Sequence, residues 1–219
     1  MNNLQQTDTT ARSLDLVHAD EFILVLNKPA GLLSVPGRGA DKTDSLATRA
    51  QQAFPDALVV HRLDMSTSGL LVMARGKEMQ RRLSRLFCER KINKNYIAVV
   101  RGQLKGSAGE IEFPLMPDWP NRPKQKVDFS IGKYSLTRYR LLASDAHTNT
   151  SRIELEPVTG RTHQLRVHMS AIGHPVLGDA LYDEAACSNT GRLRLHARML
   201  GFAHPHSEKP LTFVSEPDF

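Results

Sequence analysis

Three stretches of this chain carry side chains able to do chemistry. The first, His61-Arg62-Leu63-Asp64-Met65-Ser66-Thr67-Ser68-Gly69, is a polar loop between two apolar, strand-like runs, a setting in which a rigid scaffold presents reactive groups. A carboxylate such as Asp64 can serve as nucleophile or base. An Asp ahead of Ser-Thr-Ser-Gly also reads as an Asx turn or cap, so a catalytic reading needs a partner for it. The second, Gly160-Arg161-Thr162-His163-Gln164-Leu165-Arg166-Val167-His168, gathers two arginines and two histidines at the opening of a helical pattern, where they can meet a phosphate or a carboxylate. Its histidines are five apart, about 140° around a helix, so they do not share a face as paired metal ligands do, and no metal site is expected. The third is the basic stretch Arg90-Lys91-Ile92-Asn93-Lys94-Asn95-Tyr96 with Arg101, Lys105 and the loop Arg122-Pro123-Lys124-Gln125-Lys126. Such residues neutralise phosphates, and a ring can stack on an unpaired base for roughly 1 to 3 kcal/mol. They equally suit a solvated basic surface with Tyr96 in a strand core. Walker-type phosphate loops, Gly-x-Gly-x-x-Gly and Gly-x-Ser-x-Gly are missing from the sequence, so nucleotide cofactors and serine hydrolysis lose support.

The hydrophobic pattern supplies the elements that must hold these stretches. Leu14 to Val17 and Phe22 to Leu26 predict a hairpin ending in the turn cluster Asn27-Lys28-Pro29-Ala30-Gly31. Asp44 or Ser45 can cap a short helix bearing Leu46, Ala50 and Phe54, stopped by Pro55. Leu58 to Val60 then leads as a strand into the Asp64 loop, and Leu70 to Ala74 leaves it as another. Met79, Leu83, Leu86 and Phe87 recur on one face of an amphipathic helix whose other face carries Lys77, Arg81, Arg82, Arg85 and Glu89. Tyr96 to Val100, Ser130 to Leu142 and Arg152 to Glu156 read as further strands. Leu165, Met169 and Ile172 predict a helix over Thr162 to Ile172, capped by Thr162, ended by Gly173, with Arg166 and Ser170 on one side. Strands outnumber helices without strict βαβ alternation, so the expected class is α+β with a mostly antiparallel sheet.

Composition narrows the setting. The 219 residues allow one large domain or two small ones, and 40% hydrophobic with 24% charged residues fits a soluble globular fold. No apolar run approaches the roughly 18 residues of a membrane span. The first residues lack both the basic start and the apolar stretch of a signal peptide, which predicts a cytoplasmic protein; residues 1–12 read as a flexible tail and 13–219 as the domain. Cys88 and Cys187 stand apart and outside any Cys-x-x-Cys pair, as ordinary reduced thiols. Lysine and arginine exceed the acidic residues by 29 − 23 = +6, which favours an anionic partner without naming it. A monomer is the default expectation.

The run His61 to Leu70 resembles the signature of the RluA family of pseudouridine synthases. The likeness continues, in family order, through Leu26-Asn27-Lys28-Pro29-Ala30-Gly31-Leu32, Lys94-Asn95-Tyr96, Gly132-Lys133 with Thr137, and Gly160 to Arg166, and spans roughly residues 15 to 215. It implies a pseudouridine synthase catalytic fold, a long mixed, mostly antiparallel sheet with flanking helices and a central active-site cleft. It implies an isomerase that flips specific uridines out of stem-loops in 23S ribosomal RNA, transfer RNA or both. By the resemblance Asp64 would be the nucleophile, Tyr96 the ring beside the target base, and Arg166 the ion-pair partner of Asp64. Leu165 would wall the pocket and Arg62 would fill the space the flipped nucleotide leaves. Arg161, His61 and Thr67, in the same matched segments, are expected to bind substrate. Many family members carry a small S4-like RNA-binding domain ahead of the catalytic one. Only about a dozen residues precede the domain here, so recognition is expected to rest on the catalytic domain itself.

The implied reaction breaks the bond from C1′ to N1, turns the uracil in place and joins C5 to C1′. No atoms enter or leave overall, so no cofactor is required. A carboxylate can attack covalently, as in retaining glycosidases, if the uracil is both the leaving and the returning group. Attack at C1′, attack at C6 and assisted elimination at the sugar stay open. Two other classes compete: a non-catalytic RNA-binding or ribosome-assembly protein, and an RNA glycosidase or nuclease. His61, His163, His168, His174 and His196 are read as hydrogen-bonded structural residues, with no acid–base role assigned.

Overall fold

The computed structural model describes residues 14–39, 42–184 and 191–219; the expected tail over residues 1–12 and Cys187 lie outside them. The chain opens with the hairpin β1 (Leu16–Ala19) and β2 (Ile23–Lys28). Its turn is tighter than the sequence suggests, because His18 and Ala19 pair with Val25 and Leu24 and Asp20 Oδ1 accepts from the N–H groups of Phe22 and Ile23. Helix α1 (Leu46–Ala53) starts where Ser45 caps it by accepting from the Thr48 N–H, and Phe54 lies just past its end. Then follow β3 (Ala57–Val59), β4 (Ser68–Arg75) and α2 (Gly76–Cys88), which buries Met79 and Leu83.

The second half runs β5 (Asn93–Arg101), β6 (Ala108–Ile111), the short ribbon of β7 (Leu115–Pro117) and β8 (Gln125–Val127), β9 (Thr137–Asp145), β10 (Thr150–Pro157), α3 (Gln164–Ala171), β11 (Leu195–Ala203) and β12 (Pro210–Val214). Two sequence expectations need correction here. The run Ser130 to Leu142 is not one strand, because Asp128 Oδ1 accepts from the N–H groups of Ser130 and Ile131 and bends the chain, so β9 begins only at Thr137. Thr162 does not cap α3: the cap position is His163 in a left-handed conformation, and the helix begins at Gln164.

Ten strands form one sheet in the order β1-β2-β4-β11-β5-β10-β9-β6, with β3 paired to β4 and β12 to β11. Among the described residues every strand pairing in this sheet is antiparallel except β4 with β11, so the class is α+β, as the pattern predicted. The continuous apolar runs of β2 and β4 follow from burial on both faces. Leu24, Leu26, Leu71 and Met73 pack toward α1, while Ile23, Val25, Leu70 and Val72 pack toward Met79 and Leu83 of α2. A third cluster joins Ala98, Val100, Ile153 and Leu155 to Leu165 and Met169 of α3. Among the described residues no helix is long and apolar enough to cross a membrane.

The one parallel pair sets the geometry of the centre. Gly69 of β4 lies opposite Ala197 of β11, and Ala197 lies opposite Tyr96 of β5. Gly69 has φ +109, and a Cβ there would run into the backbone of Ala197, so only glycine lets β4 approach β11 this closely. Register thus carries the Asp64 loop, which feeds β4, to the side of Tyr96.

Candidate active site

Asp64 sits in the loop between β3 and β4, and the loop is clamped on both sides of it. Leu63 exchanges hydrogen bonds with Ser34, its N–H donating to Oγ at 3.0 Å and its carbonyl accepting from that hydroxyl at 2.7 Å. The Met65 carbonyl accepts from Gly31 N–H at 2.8 Å and from Lys28 Nζ at 3.0 Å. Lys28 is fully buried, and its ammonium also donates to the carbonyls of Pro29 and Leu32. Burial pushes its pKa down to about 8, with the Asp64 charge acting the other way, and three acceptors satisfy its three protons. The segment Asn27 to Gly31 is therefore the anchor of the Asp64 loop, a role that its turn-like composition does not reveal.

The Asp64 side chain remains 20% exposed, and its Oδ2 lies 3.3 Å from Arg166 Nη1. Arg166 projects from α3 and is 4% exposed. Its Nε and Nη2 each donate to a carboxylate oxygen of Asp179 at 2.7 Å, the two-pronged geometry that a guanidinium fork favours. The Tyr182 ring lies 5.1 Å from the guanidinium carbon, within cation–π range. Burial works against the Arg166 charge, and Asp179 together with Asp64 outweighs it, holding its pKa above the ordinary value. Asp179 also accepts from the N–H groups of Leu181 and Tyr182, a turn that preorders it. Asp179 and Tyr182 went unread in the sequence; Gly178-Asp179 looks like a plain turn, and only a buried arginine in search of a second carboxylate points to it.

Around Asp64 opens a cleft of about 180 Å³. That is below the roughly 300 to 1,000 Å³ of drug-sized sites and on the scale of a single base. Its walls hold every catalytic and substrate-binding residue that the resemblance implied: His61, Arg62, Asp64, Thr67, Tyr96, Arg161, Leu165 and Arg166. Arg101, Lys105 and the loop Arg122 to Lys126 of the third stretch lie outside it. Leu165 and Thr67 are buried in the wall. His61 is anchored there, its ring stacked 4.5 Å from Phe87 and its Nε2 accepting from the Val72 N–H at 3.0 Å. Burial, and then the Lys94 charge, push its pKa down to about 3. Burial and then the Asp64 charge raise the Tyr96 phenol above its usual range. Arg161 is exposed, donates from Nε to the Tyr134 carbonyl, and also lines an adjoining groove with Arg90, Lys94 and Arg138. The sequence placed Lys94 in a basic stretch without assigning it to the cleft, and Thr159 and Gln164 line it too.

The remaining histidines divide. His168 bonds Thr137 Oγ1 and the Phe113 carbonyl, His174 the Arg101 carbonyl, and His196 the Ser68 hydroxyl and Ser215 carbonyl. These are structural contacts. His163 differs, with its Nε2 facing Asp64 Oδ2 at 3.9 Å.

The chain and its fold match known proteins over most of their length. The family model described as RNA pseudouridylate synthase matches residues 22–171, and that defines the class: isomerases that convert uridine to pseudouridine in RNA. The chain is 49% identical over 205 residues to the dual-specificity RNA pseudouridine synthase RluA of Yersinia pestis, covering 93% of this chain and 99% of the relative. It is 48% identical to the protein of the same name from Escherichia coli K12, covering 94% of each. Among solved structures, the human RNA pseudouridylate synthase domain-containing protein 1 superposes with a TM-score of 0.79 at 33% identity, covering 94% of this chain and 84% of that one. The chain belongs to the RluA family of pseudouridine synthases.

Proposed function

We propose that this enzyme isomerises a uridine in stem-loops of both large-subunit ribosomal RNA and transfer RNA, working in the cytoplasm, with Asp64 as its nucleophile. The observation that carries the reading is the partly exposed Asp64 carboxylate 3.3 Å from the buried Arg166. The dual substrate class is supported by relatives of that description at 48–49% identity over nearly their whole length.

A stacked uridine is out of reach, so the nucleotide must flip out, at a cost of a few kcal/mol that is least in loops. Arg62 at the cleft takes up the vacated space in the RNA. The uracil then rests between Leu165 and the Tyr96 ring. The Asp64 carboxylate acts where bound substrate excludes water, and the fixed Arg166 guanidinium 3.3 Å away offsets the cost of that desolvation. The C1′–N1 bond breaks, the uracil turns without leaving, and C5 bonds to C1′. C5 gives up its proton and N1 gains one, which balances the reaction without a cofactor. The Tyr96 hydroxyl, kept neutral by burial and the Asp64 charge, assists at C5 as a relay that takes up that proton while giving up its own.

The test is tritium release from [5-³H]uridine-labelled ribosomal and transfer RNA, with wild type and Asp64→Asn side by side. Release from both RNAs by wild type alone is the expected result. Release from one RNA would reduce the specificity to a single class, and an active Asp64→Asn would remove Asp64 as nucleophile. Liberated uracil or a cleaved strand would identify a glycosidase or nuclease instead.

A further inference from the structure

His163 occupies an unusual place. It stands at the cap position of α3 with φ +55 and makes no side-chain cap to the helix, a left-handed backbone that non-glycine residues adopt sparingly and often at functional sites. Its side chain is only 11% exposed and lies between two partners. On one side Nδ1 is 2.7 Å from the Tyr182 hydroxyl; on the other Nε2 is 3.9 Å from Asp64 Oδ2.

The hydrogen-bond chain favours one placement of the imidazole proton. The Tyr182 oxygen accepts from the backbone N–H of Gln125 at 2.7 Å, and a backbone N–H can only donate. With that lone pair taken, we assign the Tyr182 hydroxyl as donor to His163 Nδ1, 2.7 Å away. An imidazole that accepts at Nδ1 holds its own proton at Nε2, the atom turned toward Asp64. The charge balance around the ring agrees: burial, Arg166 and Arg62 disfavour an imidazolium more than Asp64 and Asp179 favour it.

We propose that His163 is a positioning residue for the nucleophile, a neutral imidazole locked by Tyr182 as the Nε2–H tautomer, which holds Asp64 Oδ2 together with Arg166 and leaves Oδ1 as the attacking oxygen. Arg166 alone offers Asp64 one bond, at 3.3 Å, about which a carboxylate can pivot. A second donor on the same oxygen removes that freedom. The 3.9 Å separation exceeds a hydrogen bond, and catalytic contacts are often this long without substrate and tighten in the substrate complex. The inference rests on Asp64 being the nucleophile and adds to that reading the oxygen used and the residues that select it.

The experiment compares His163→Gln, His163→Asn, Tyr182→Phe and Asp64→Asn by single-turnover rate and KM on a labelled transfer RNA stem-loop, with thermal unfolding of each variant. A glutamine amide nitrogen reaches the place of Nε2, whereas an asparagine amide reaches only that of Nδ1, although asparagine is the better fit to a left-handed backbone. Positioning therefore predicts that His163→Gln keeps more of the rate, that His163→Asn falls on the order of 100-fold with KM nearly unchanged, and that Tyr182→Phe also loses rate at constant KM. A purely structural role predicts the reverse, with His163→Asn the better enzyme; that order, or full rates in all three, overturns the proposal. If the His163 variants do not fold, the rate of Tyr182→Phe decides alone. An active Asp64→Asn would show instead that the underlying reading has failed.

Discussion

Arg166 gives two of its three guanidinium nitrogens to Asp179, both at 2.7 Å, and only the third, Nη1, to Asp64 at 3.3 Å. The buried arginine is thus fixed first by Asp179, which lies behind the cleft, and presented second to Asp64. A change in the Asp64 contact would not cut Arg166 loose, because the fork stays anchored on the Asp179 side.

Asp179→Ala should therefore be damaging even though it lies behind the cleft. Removing one partner of a buried pair costs about 3 to 5 kcal/mol, and the freed guanidinium would swing toward Asp64 as a closed salt bridge. Urea unfolding and tritium release should both register the loss. Arg166→Ala should harm stability and turnover together, and near-normal turnover in that variant would remove Arg166 from the mechanism.

The two roles proposed for Tyr96 can be separated by substitution. Tyr96→Phe keeps the ring beside the base and should hold KM for RNA, while a hydroxyl that handles the C5 proton contributes roughly 10² to 10⁴ in rate. Retained C5–C1′ bond formation with only slow product release would dismiss the hydroxyl as base. Tyr96→Leu removes the stacking face as well and should raise KM.

Arg161 is exposed where the cleft meets the groove lined by Arg90, Lys94 and Arg138, a position suited to phosphate. Arg161→Ala should weaken binding of both RNAs about equally and reduce the salt slope of log K by roughly 1. The rate at saturating RNA should change little. Filter binding from 50 to 200 mM salt is the measurement; an unchanged slope would place Arg161 outside the RNA footprint.

His61 ties stability to pH. Its folded pKa of about 3 lies below the unfolded value of about 6.5, so between them unfolding takes up a proton. The stabilisation is complete above pH 6.5 and drains away as pH falls toward 3. At pH 5 the protein should be roughly 2 kcal/mol less stable than at pH 7 from this residue, with His168 and His196 acting in the same sense. His61→Gln should flatten the curve in denaturant titrations across that range; a slope identical to wild type would mean that the ring titrates alike in the folded and unfolded chains.

Much was legible along the chain because the signals are local. Period-two and period-3.6 apolar patterns gave the hairpin, α1, α2, β4, β5 and β10 near their observed bounds, and an expected capping serine at Ser45 caps α1. The misplaced start of β9 followed from a rival local signal, the Asp128 turn, hidden inside an alternating run. Strands β6, β7, β8, β11 and β12 were not predicted. Among them β11, at the centre of the sheet, mixes His196 and Arg198 with apolar residues because parts of it face hydrogen-bonding partners rather than the core.

By itself the sequence determined the class of fold, the presence of an Asp64 loop between strands and a run of arginines and histidines opening a helix, since each is written in neighbouring residues. Only the tertiary structure decided that Gly69, Ala197 and Tyr96 line up across three strands, that Lys28 holds the loop from beneath, and that Asp179 and Tyr182 order Arg166 and His163. Those relations join residues from 13 to 128 positions apart. They arise from strand register and from the need to pair every buried charge and donor, which no local pattern records.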